Sequence, residues 1–162
     1  MPFELIPAAS GLLQKQAINE VIKCNGFTEQ YGLRLTETQA KELVETRSFA
    51  LNQTGRIEFG GGVIDKVIKA FCDSPYISMH NYAETIHELV EIFYYYKNET
   101  LDMISDDDLI KFMKDSFDNI CQGSLELLSG RELYKLARKL RFGSAYNDYE
   151  DSVAEGSEDD YE

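Results

Sequence analysis

Hydrophobic residues recur at helical spacing along most of the chain. The clearest repeat covers residues 82–98, where six apolar positions fall within roughly 120° of a helical wheel: Tyr82, Ile86, Leu89, Val90, Phe93 and Tyr96. Shorter repeats, bounded by capping residues and glycines, predict helices over about 11–25, from Thr36 to about Thr54, and over 63–71. A further helix begins after Ser105. The last predicted helix covers about 124–142, with a candidate break at Ser129–Gly130.

Two of these helices have well-defined apolar stripes. The helix after Thr36 carries Ala40, Leu43, Val44, Arg47 and Leu51 at helical spacing. The helix after Ser105 has a predicted buried stripe of Leu109, Phe112, Met113, Phe117 and Ile120. A chain made mainly of such segments is expected to bury its stripes against one another.

Two short segments alternate between apolar and polar residues, as strands do. Residues 31–36 (YGLRLT) and 56–59 (RIEF) could pair through Leu33–Leu35 and Ile57–Phe59. Residues 1–9 are expected to be extended, because two prolines interrupt a helix there. We therefore predict a mostly α fold, a compact bundle of about six helices with at most a minor two-stranded β element.

The distribution of charge separates a body from a tail. Residues 144–162 contain eight acidic residues and no basic one, whereas residues 1–143 contain 21 acidic and 16 basic residues, a net charge of −5. The tail has too few apolar residues to offset its ordering entropy. We predict a single helical domain over 1–143 and a disordered acidic tail over 144–162. Because the body has no basic field, nucleic-acid binding is disfavoured unless a local basic patch provides it.

The cysteines and the apolar runs limit the class of protein. Cys24, Cys72 and Cys121 are odd in number and far apart, which argues against a disulfide framework and a structural zinc site. The N-terminal residues lack the pattern of a signal peptide, and no apolar run approaches the ~18 residues that span a bilayer. These features predict a cytoplasmic protein without a membrane segment.

Two groups of side chains could support an enzyme or a metal-binding protein. His80, Glu84, His87 and Glu91 share one face of the helix over 82–98, opposite its apolar stripe. That face has only one Glu-x-x-His pair, whereas carboxylate-bridged metal sites use two. Cys72 is a potential nucleophile, but it lies at a helix C-terminus beside an aspartate, where a thiolate is disfavoured. We therefore predict neither a catalytic residue nor a metal ligand nor a cofactor, and keep both groups as an alternative.

A triple glycine precedes the helix over 63–71. The N–H groups of Gly60, Gly61 and Gly62 could bind an anion at the start of that helix. The segment lacks the Lys-Ser/Thr of a phosphate-binding loop, and a close turn between a strand and a helix would also require glycines. Anion binding by these glycines is therefore a hypothesis that competes with a purely structural role.

The last predicted helix is amphipathic and basic. Arg131, Lys135, Arg138 and Lys139 form one face of residues 131–141, opposite a face of leucines and an alanine. Such a face can bind nucleic acid, an anionic membrane or an acidic protein, or it can simply be solvated. Because the acidic tail follows a few residues later, loose attraction between the tail and this face is a further hypothesis.

The sequence FYYYK over 93–97 gives the best indication of a partner surface. Consecutive helical residues point in different directions, so the three tyrosines cannot all be buried on one face, and it is Phe93 and Tyr96 that face the apolar stripe. Exposed tyrosines are favoured at protein interfaces, because they are large and amphipathic with few rotatable bonds. We predict that Tyr94 and Tyr95 are partly exposed, unless another surface covers them, and that they bind a partner.

Residues 56–77 (RIEFGGGVIDKVIKAFCDSPYI) and 93–130 resemble an uncharacterised family of small proteins from anaerobic Gram-positive bacteria. The resemblance extends over most of residues 1–143 and implies a bacterial, cytoplasmic protein. The family has no assigned activity, so the resemblance implies no functional residue.

These observations favour a non-catalytic helical module that binds another protein, with an accessory or regulatory role. A small enzyme or metal protein, using Cys72 or the face that carries His80 and His87, is the alternative. A nucleic-acid-associated protein, using the basic face of 131–141, is a second alternative. Neither the pattern nor the resemblance predicts an oligomeric state.

Overall fold

The chain is helical over most of its length, as predicted, in a computed structural model that describes residues 2–143, with side chains from Gly11 onward. No β-strand occurs within that range, and the predicted tail over 144–162 lies outside it. The helices are α1 (Pro2–Lys23), α2 (Asn25–Thr28), α3 (Glu37–Thr54), α4 (Gly62–Phe71), α5 (Tyr82–Glu99), α6 (Asp106–Asp118), α7 (Leu125–Leu127) and α8 (133–143). A 3₁₀ turn (Glu29–Tyr31) follows α2, and a π-helical turn (Leu128–Glu132) joins α7 to α8.

Helix α5 lies at the centre of the bundle and packs against α3, α4 and α6. Its residues Ile86, Leu89, Val90 and Phe93 have no exposed surface, as their shared stripe predicts. Between α4 and α6 the core is aromatic, with rings of two phenylalanines meeting edge to face at 5.6 Å, Phe71 and Phe117. The apolar stripes therefore close over one another around α5.

The predicted caps fix where two of these helices begin. Thr36 and Gln39 form a reciprocal capping box at the start of α3. Ser105 accepts a hydrogen bond from the Asp108 N–H at the start of α6. Three aspartates in the first turn interact favourably with the positive end of the helix dipole there. Within the described range, no helix is long and apolar enough to cross a membrane.

The predicted strand at 31–36 is wrong, because a side chain takes the place of a partner strand. The Asn25 amide accepts a hydrogen bond from the Leu35 N–H at 2.8 Å and donates one to the Leu35 carbonyl at 2.9 Å. The Thr28 hydroxyl donates to the Leu33 carbonyl at 2.8 Å. With these backbone groups satisfied locally, both leucines enter the core without a sheet.

The predicted strand at 56–59 is also wrong, and the apolar residues of this segment do not face the core. Ile57 and Phe59 are 77% and 76% exposed, whereas the Glu58 side chain is only 7% exposed. The alternation is real, since it matches the two-residue period of an extended segment. However, the charged residues face the protein and the apolar residues face solvent.

Two helix ends differ from the prediction. Residues 1–9 were expected to be extended, but α1 begins at Pro2, because a proline in the first turn loses no helical hydrogen bond. The helix continues through Pro7, which removes one donor without ending it. Ile120 is 60% exposed rather than buried, because α6 ends at Asp118 and the non-helical Asn119 turns the chain away from the stripe.

The candidate break at Ser129–Gly130 is a π-helical turn instead of an interruption. A wide turn of this kind leaves carbonyl groups open to other donors. The Tyr96 hydroxyl of α5 donates a hydrogen bond to the Ser129 carbonyl. The turn therefore joins the last helical segment to the centre of the bundle.

Candidate partner-binding site

A surface groove runs between the second half of α3 and the second half of α5. It consists of two adjoining depressions of about 300 and 440 Å³ that share Thr54, Tyr94 and Asn98. The first is lined mainly by α3 and α5, and the second extends to the loop after α5, where Leu101 and Asp102 line it. Together they form one continuous concave surface, which we call the α3–α5 groove.

Exposed hydrophobic side chains line this groove. Phe49 of α3 is 67% exposed, Tyr95 of α5 is 59% exposed, and Leu101 beyond α5 is 62% exposed. Single exposed apolar residues are common on protein surfaces, but three along one concave surface are typical of an interaction site. The predicted exposure of Tyr95 is thus observed, and its predicted role in binding a partner stays a prediction.

Tyr94 is buried, so the prediction that it is partly exposed is wrong. It is only 6% exposed, and its hydroxyl donates a 2.7 Å hydrogen bond to Glu58 Oε2. The helical wheel correctly placed Tyr94 off the apolar stripe, but the inward-facing 56–59 segment covers it. Burial and the charge of Glu58 raise the pKa of Tyr94, so this phenol stays protonated as a donor.

Glu58 links three elements beneath the groove. Its Oε1 accepts a hydrogen bond from the Val63 N–H at 3.0 Å, and its Oε2 accepts one from Arg56 Nε at 3.0 Å. Arg47 Nη1 lies 3.9 Å from Glu58 and donates to the Gly60 carbonyl at 2.7 Å. Because the Arg47 and Glu58 side chains are 6% and 7% exposed, this pair is almost fully removed from water.

A second ionic cluster lies next to the first, under the larger depression. The Lys97 ammonium, on a side chain only 9% exposed, contacts Asp102 at 2.9 Å and Asp106 at 3.1 Å. Arg56 joins the clusters because its guanidinium contacts both Glu58 and Asp106. Burial alone would raise the pKa of Asp106. Hydrogen bonds from Arg56 and Lys97 outweigh burial and lower that pKa below its usual value. The groove therefore rests on a fixed network of paired charges.

Leu101 adopts a backbone conformation that leucine seldom adopts. Its φ of 55° lies in the left-handed region, at the position after the α5 C-cap where glycine is usual. The following N–H, that of Asp102, donates to the Lys97 carbonyl at 3.1 Å and completes a Schellman motif. An exposed leucine at this strained position gains little from packing, which suggests that the side chain has another use.

A comparison with protein families assigns the chain to a family. A family model described as a family of unknown function (DUF6323) matches residues 20–146. The chain belongs to the DUF6323 family. The resemblance to an uncharacterised family is thereby confirmed. Neither the search of curated proteins nor the search of solved structures gave a match to this DUF6323 chain.

The histidine-bearing face of the DUF6323 domain is engaged in local contacts. His87 Nε2 lies 2.7 Å from Thr46 Oγ1, and His87 Nδ1 lies 3.2 Å from Glu91. His80 and Glu84 are exposed to solvent. Among the side chains that the structure describes, those of residues 11–143, no group of three or more His, Cys, Asp or Glu is placed to hold a metal ion.

The three cysteines of the DUF6323 domain are buried thiols with raised pKa values. Burial and the neighbouring Asp73 raise the pKa of Cys72, and burial raises that of Cys121. Cys24 donates a 3.3 Å hydrogen bond to Asp65, and burial together with the Asp65 charge raises its pKa to about 12. A buried, protonated thiol is a poor nucleophile, so this geometry does not support catalysis at Cys72.

The triple glycine of the DUF6323 domain is packed against the protein's own carboxylates. The Gly61 N–H donates to Glu20 at 2.7 Å. A Cβ at Gly60 would lie 1.8 Å from Glu20 Oε2, and one at Gly61 would lie 1.9 Å from Asp65 Oδ2. The glycines thus admit internal carboxylates to the start of α4, and an external anion would have to displace them.

The basic residues predicted near the C-terminal end lie on and just before α8. Arg131 pairs with the adjacent Glu132 at 2.7 Å. Arg138 is placed over the Phe142 ring, with 4.6 Å from its guanidinium carbon to the ring centroid. Lys135 is partly buried, and Lys139 is exposed.

Sequence reasoning named Tyr94 and Tyr95, which both line the groove, but missed its other residues. Phe49 lies off the apolar stripe of α3 and gave no signal of its own. Arg47 did give a signal in the sequence, because a charged residue within an apolar stripe must find a buried partner. Its partner Glu58 belongs to a distant segment, so only the folded structure reveals the pair.

Proposed function

We propose that this DUF6323 protein is a non-catalytic interaction module that binds another protein in the α3–α5 groove. One observation carries the proposal: Phe49, Tyr95 and Leu101 are all more than half exposed along a single concave surface. Burying large apolar side chains of this kind contributes about 1.5–3 kcal/mol each to association. A partner would therefore gain most of its binding energy from a few central anchors.

The paired charges beneath the groove support this role. Because Tyr94, Glu58 and Lys97 are already hydrogen-bonded, the groove can be rigid before a partner arrives. A rigid surface loses less entropy on binding than a mobile one. The strained Leu101 fits the same interpretation, since its side chain is kept on the rim at some cost to the backbone.

Affinity purification of the full chain from its native host, followed by mass spectrometry, tests the proposal. Phe49→Ala with Tyr95→Ala should release a partner that the unmodified chain retains, with a loss of affinity on the order of 30-fold or more. Ile120→Ala is the matched control, because Ile120 is 60% exposed and does not line the groove. Equal retention by both variants, with unchanged thermal midpoints, would contradict the proposal.

We also infer that the protein works in the bacterial cytoplasm. The three cysteines are free thiols rather than disulfides, as is usual in a reducing compartment. Fractionation of the native host with an antibody to the chain tests this location. Recovery in the cell-wall or culture fraction would contradict it.

A further inference from the structure

Helix α8 carries an excess of positive charge that the described residues neutralise only in part. Residues 133–143 contain four basic residues and no acidic one. Arg141 lies 3.7 Å from Glu99, a loose ion pair. Lys135 and Lys139 form no ion pair with any side chain of residues 11–143. The helix thus presents at least two cationic side chains without a counter-ion in this part of the chain.

Aromatic rings lie beside these charges. Tyr134 and Phe142 are 50% and 48% exposed, and the Arg138 guanidinium carbon lies 5.9 Å and 4.6 Å from their ring centroids. At 100° per residue, these three residues and the two lysines fall within about 140° of the helical wheel. We call this set, Tyr134, Lys135, Arg138, Lys139 and Phe142, the basic–aromatic face. It suits a polypeptide that carries carboxylates and aromatic residues.

Residues 144–162, which follow α8 directly, have this chemistry. They contain eight acidic residues, three tyrosines and no basic residue. Gly143 has a φ of 63°, the left-handed conformation that redirects a chain at the end of a helix. Nineteen extended residues reach up to about 60 Å, whereas an 11-residue helix is about 16 Å long. The segment is therefore long enough to return along the whole of α8.

We propose that residues 144–162 bind back onto the basic–aromatic face of α8 within the same molecule. Individual surface ion pairs are weak, but a tethered segment has an effective concentration in the millimolar range, so several weak pairs suffice. Salt screens such contacts, and binding is lost at high ionic strength. The bound segment shields α8 from external polyanions, including nucleic acid. This inference is independent of the α3–α5 groove.

Zero-length carbodiimide cross-linking of the full chain at low salt tests the contact. We expect cross-links from the segment's carboxylates to concentrate on Lys135 and Lys139, and to disappear in 0.5 M salt, where the screening length is on the order of 4 Å. Lys41 and Lys111, which are exposed on other helices, are internal controls. Cross-links spread evenly over all four lysines, or formed only between molecules, would overturn the proposal.

A charge cycle measured by heparin binding separates docking from net charge. One full-length variant has all eight acidic residues of 144–162 changed to Asn or Gln, and a second has Lys135→Gln with Lys139→Gln. Loss of the lysines should weaken heparin binding at least about tenfold in the neutralised chain, but less than about twofold in the unmodified chain, where the segment already covers them. Equal factors in both backgrounds would show that only net charge matters and would overturn the proposal.

Discussion

Helix α5 has two buried sides, one packed against apolar side chains and the other against charged and hydrogen-bonding groups. On one side, Ile86, Leu89 and Phe93 are fully buried in an apolar core. On the other, Tyr94 and Lys97 are almost as deeply buried, but in a network of carboxylates and guanidinium groups. The comparison shows that burial alone does not identify a hydrophobic core. The polar side lies under the α3–α5 groove, and its buried ion pairs are expected to add little net stability over apolar packing of the same volume.

The largest expected effect comes from removing the charge at the centre of the polar side. Glu58→Ala leaves Arg47 buried without a carboxylate and the Tyr94 hydroxyl without an acceptor. We expect the free energy of unfolding to fall by about 4 kcal/mol. Urea unfolding measures it, with Glu45→Ala, an exposed change on α3, expected to cost less than about 0.5 kcal/mol. A loss for Glu58→Ala no greater than for Glu45→Ala would show that the polar side contributes no stability.

Two adjacent tyrosines provide a smaller and more specific test. Tyr94→Phe removes the hydrogen bond to Glu58 and should cost about 2 kcal/mol, because the acceptor is a buried carboxylate. Tyr95→Phe, one residue further along α5, should change stability by about 0.5 kcal/mol or less, because Tyr95 is exposed. Equal effects in urea unfolding would contradict the assignment of Tyr94 to the polar side.

Leu101 allows a test in the stabilising direction. Leu101→Gly should raise the free energy of unfolding by about 1 kcal/mol, because glycine adopts the left-handed conformation without strain. Met103→Gly is the control: Met103 is similarly exposed, lacks a positive φ, and should not gain stability. If Leu101 serves the groove, the stabilised Leu101→Gly variant should also bind the partner more weakly.

The smallest effects concern acid pH and two carboxylates with opposite shifts. The pKa of Asp106 is lowered in the folded protein. Its carboxylate therefore stabilises the fold fully above pH 3.8, and this stabilisation is lost as the pH falls through the pKa of the folded state. Burial raises the pKa of Asp65, so its contribution is complete below 3.8 and is lost as pH rises through the folded-state value. From about pH 3 to 7, the stability of Asp65→Asn should therefore rise relative to the unmodified protein. The stability of Asp106→Asn should fall relative to the unmodified protein over the same pH range. Parallel stability–pH curves for the two variants would contradict the two pKa shifts.

The apolar side of α5 could be predicted from the sequence, but the polar side could not. Six apolar residues at helical spacing predict a buried stripe without reference to any other segment. In contrast, the alternation of residues 56–59 shows only that two faces differ, not which one meets the core. The inward orientation depends on Arg47 and Tyr94, which belong to other elements of the fold. The groove was missed for the same reason, apart from Tyr94 and Tyr95.

A double-mutant cycle between Tyr94→Phe and Glu58→Ala tests the central claim most directly, namely that an inward-facing charge lies beneath the groove and holds Tyr94. The 2.7 Å hydrogen bond predicts a coupling energy of about 1 kcal/mol or more, so the double variant should be less destabilised than the sum of the single variants. Strict additivity would mean that the two side chains do not interact, and would contradict the account.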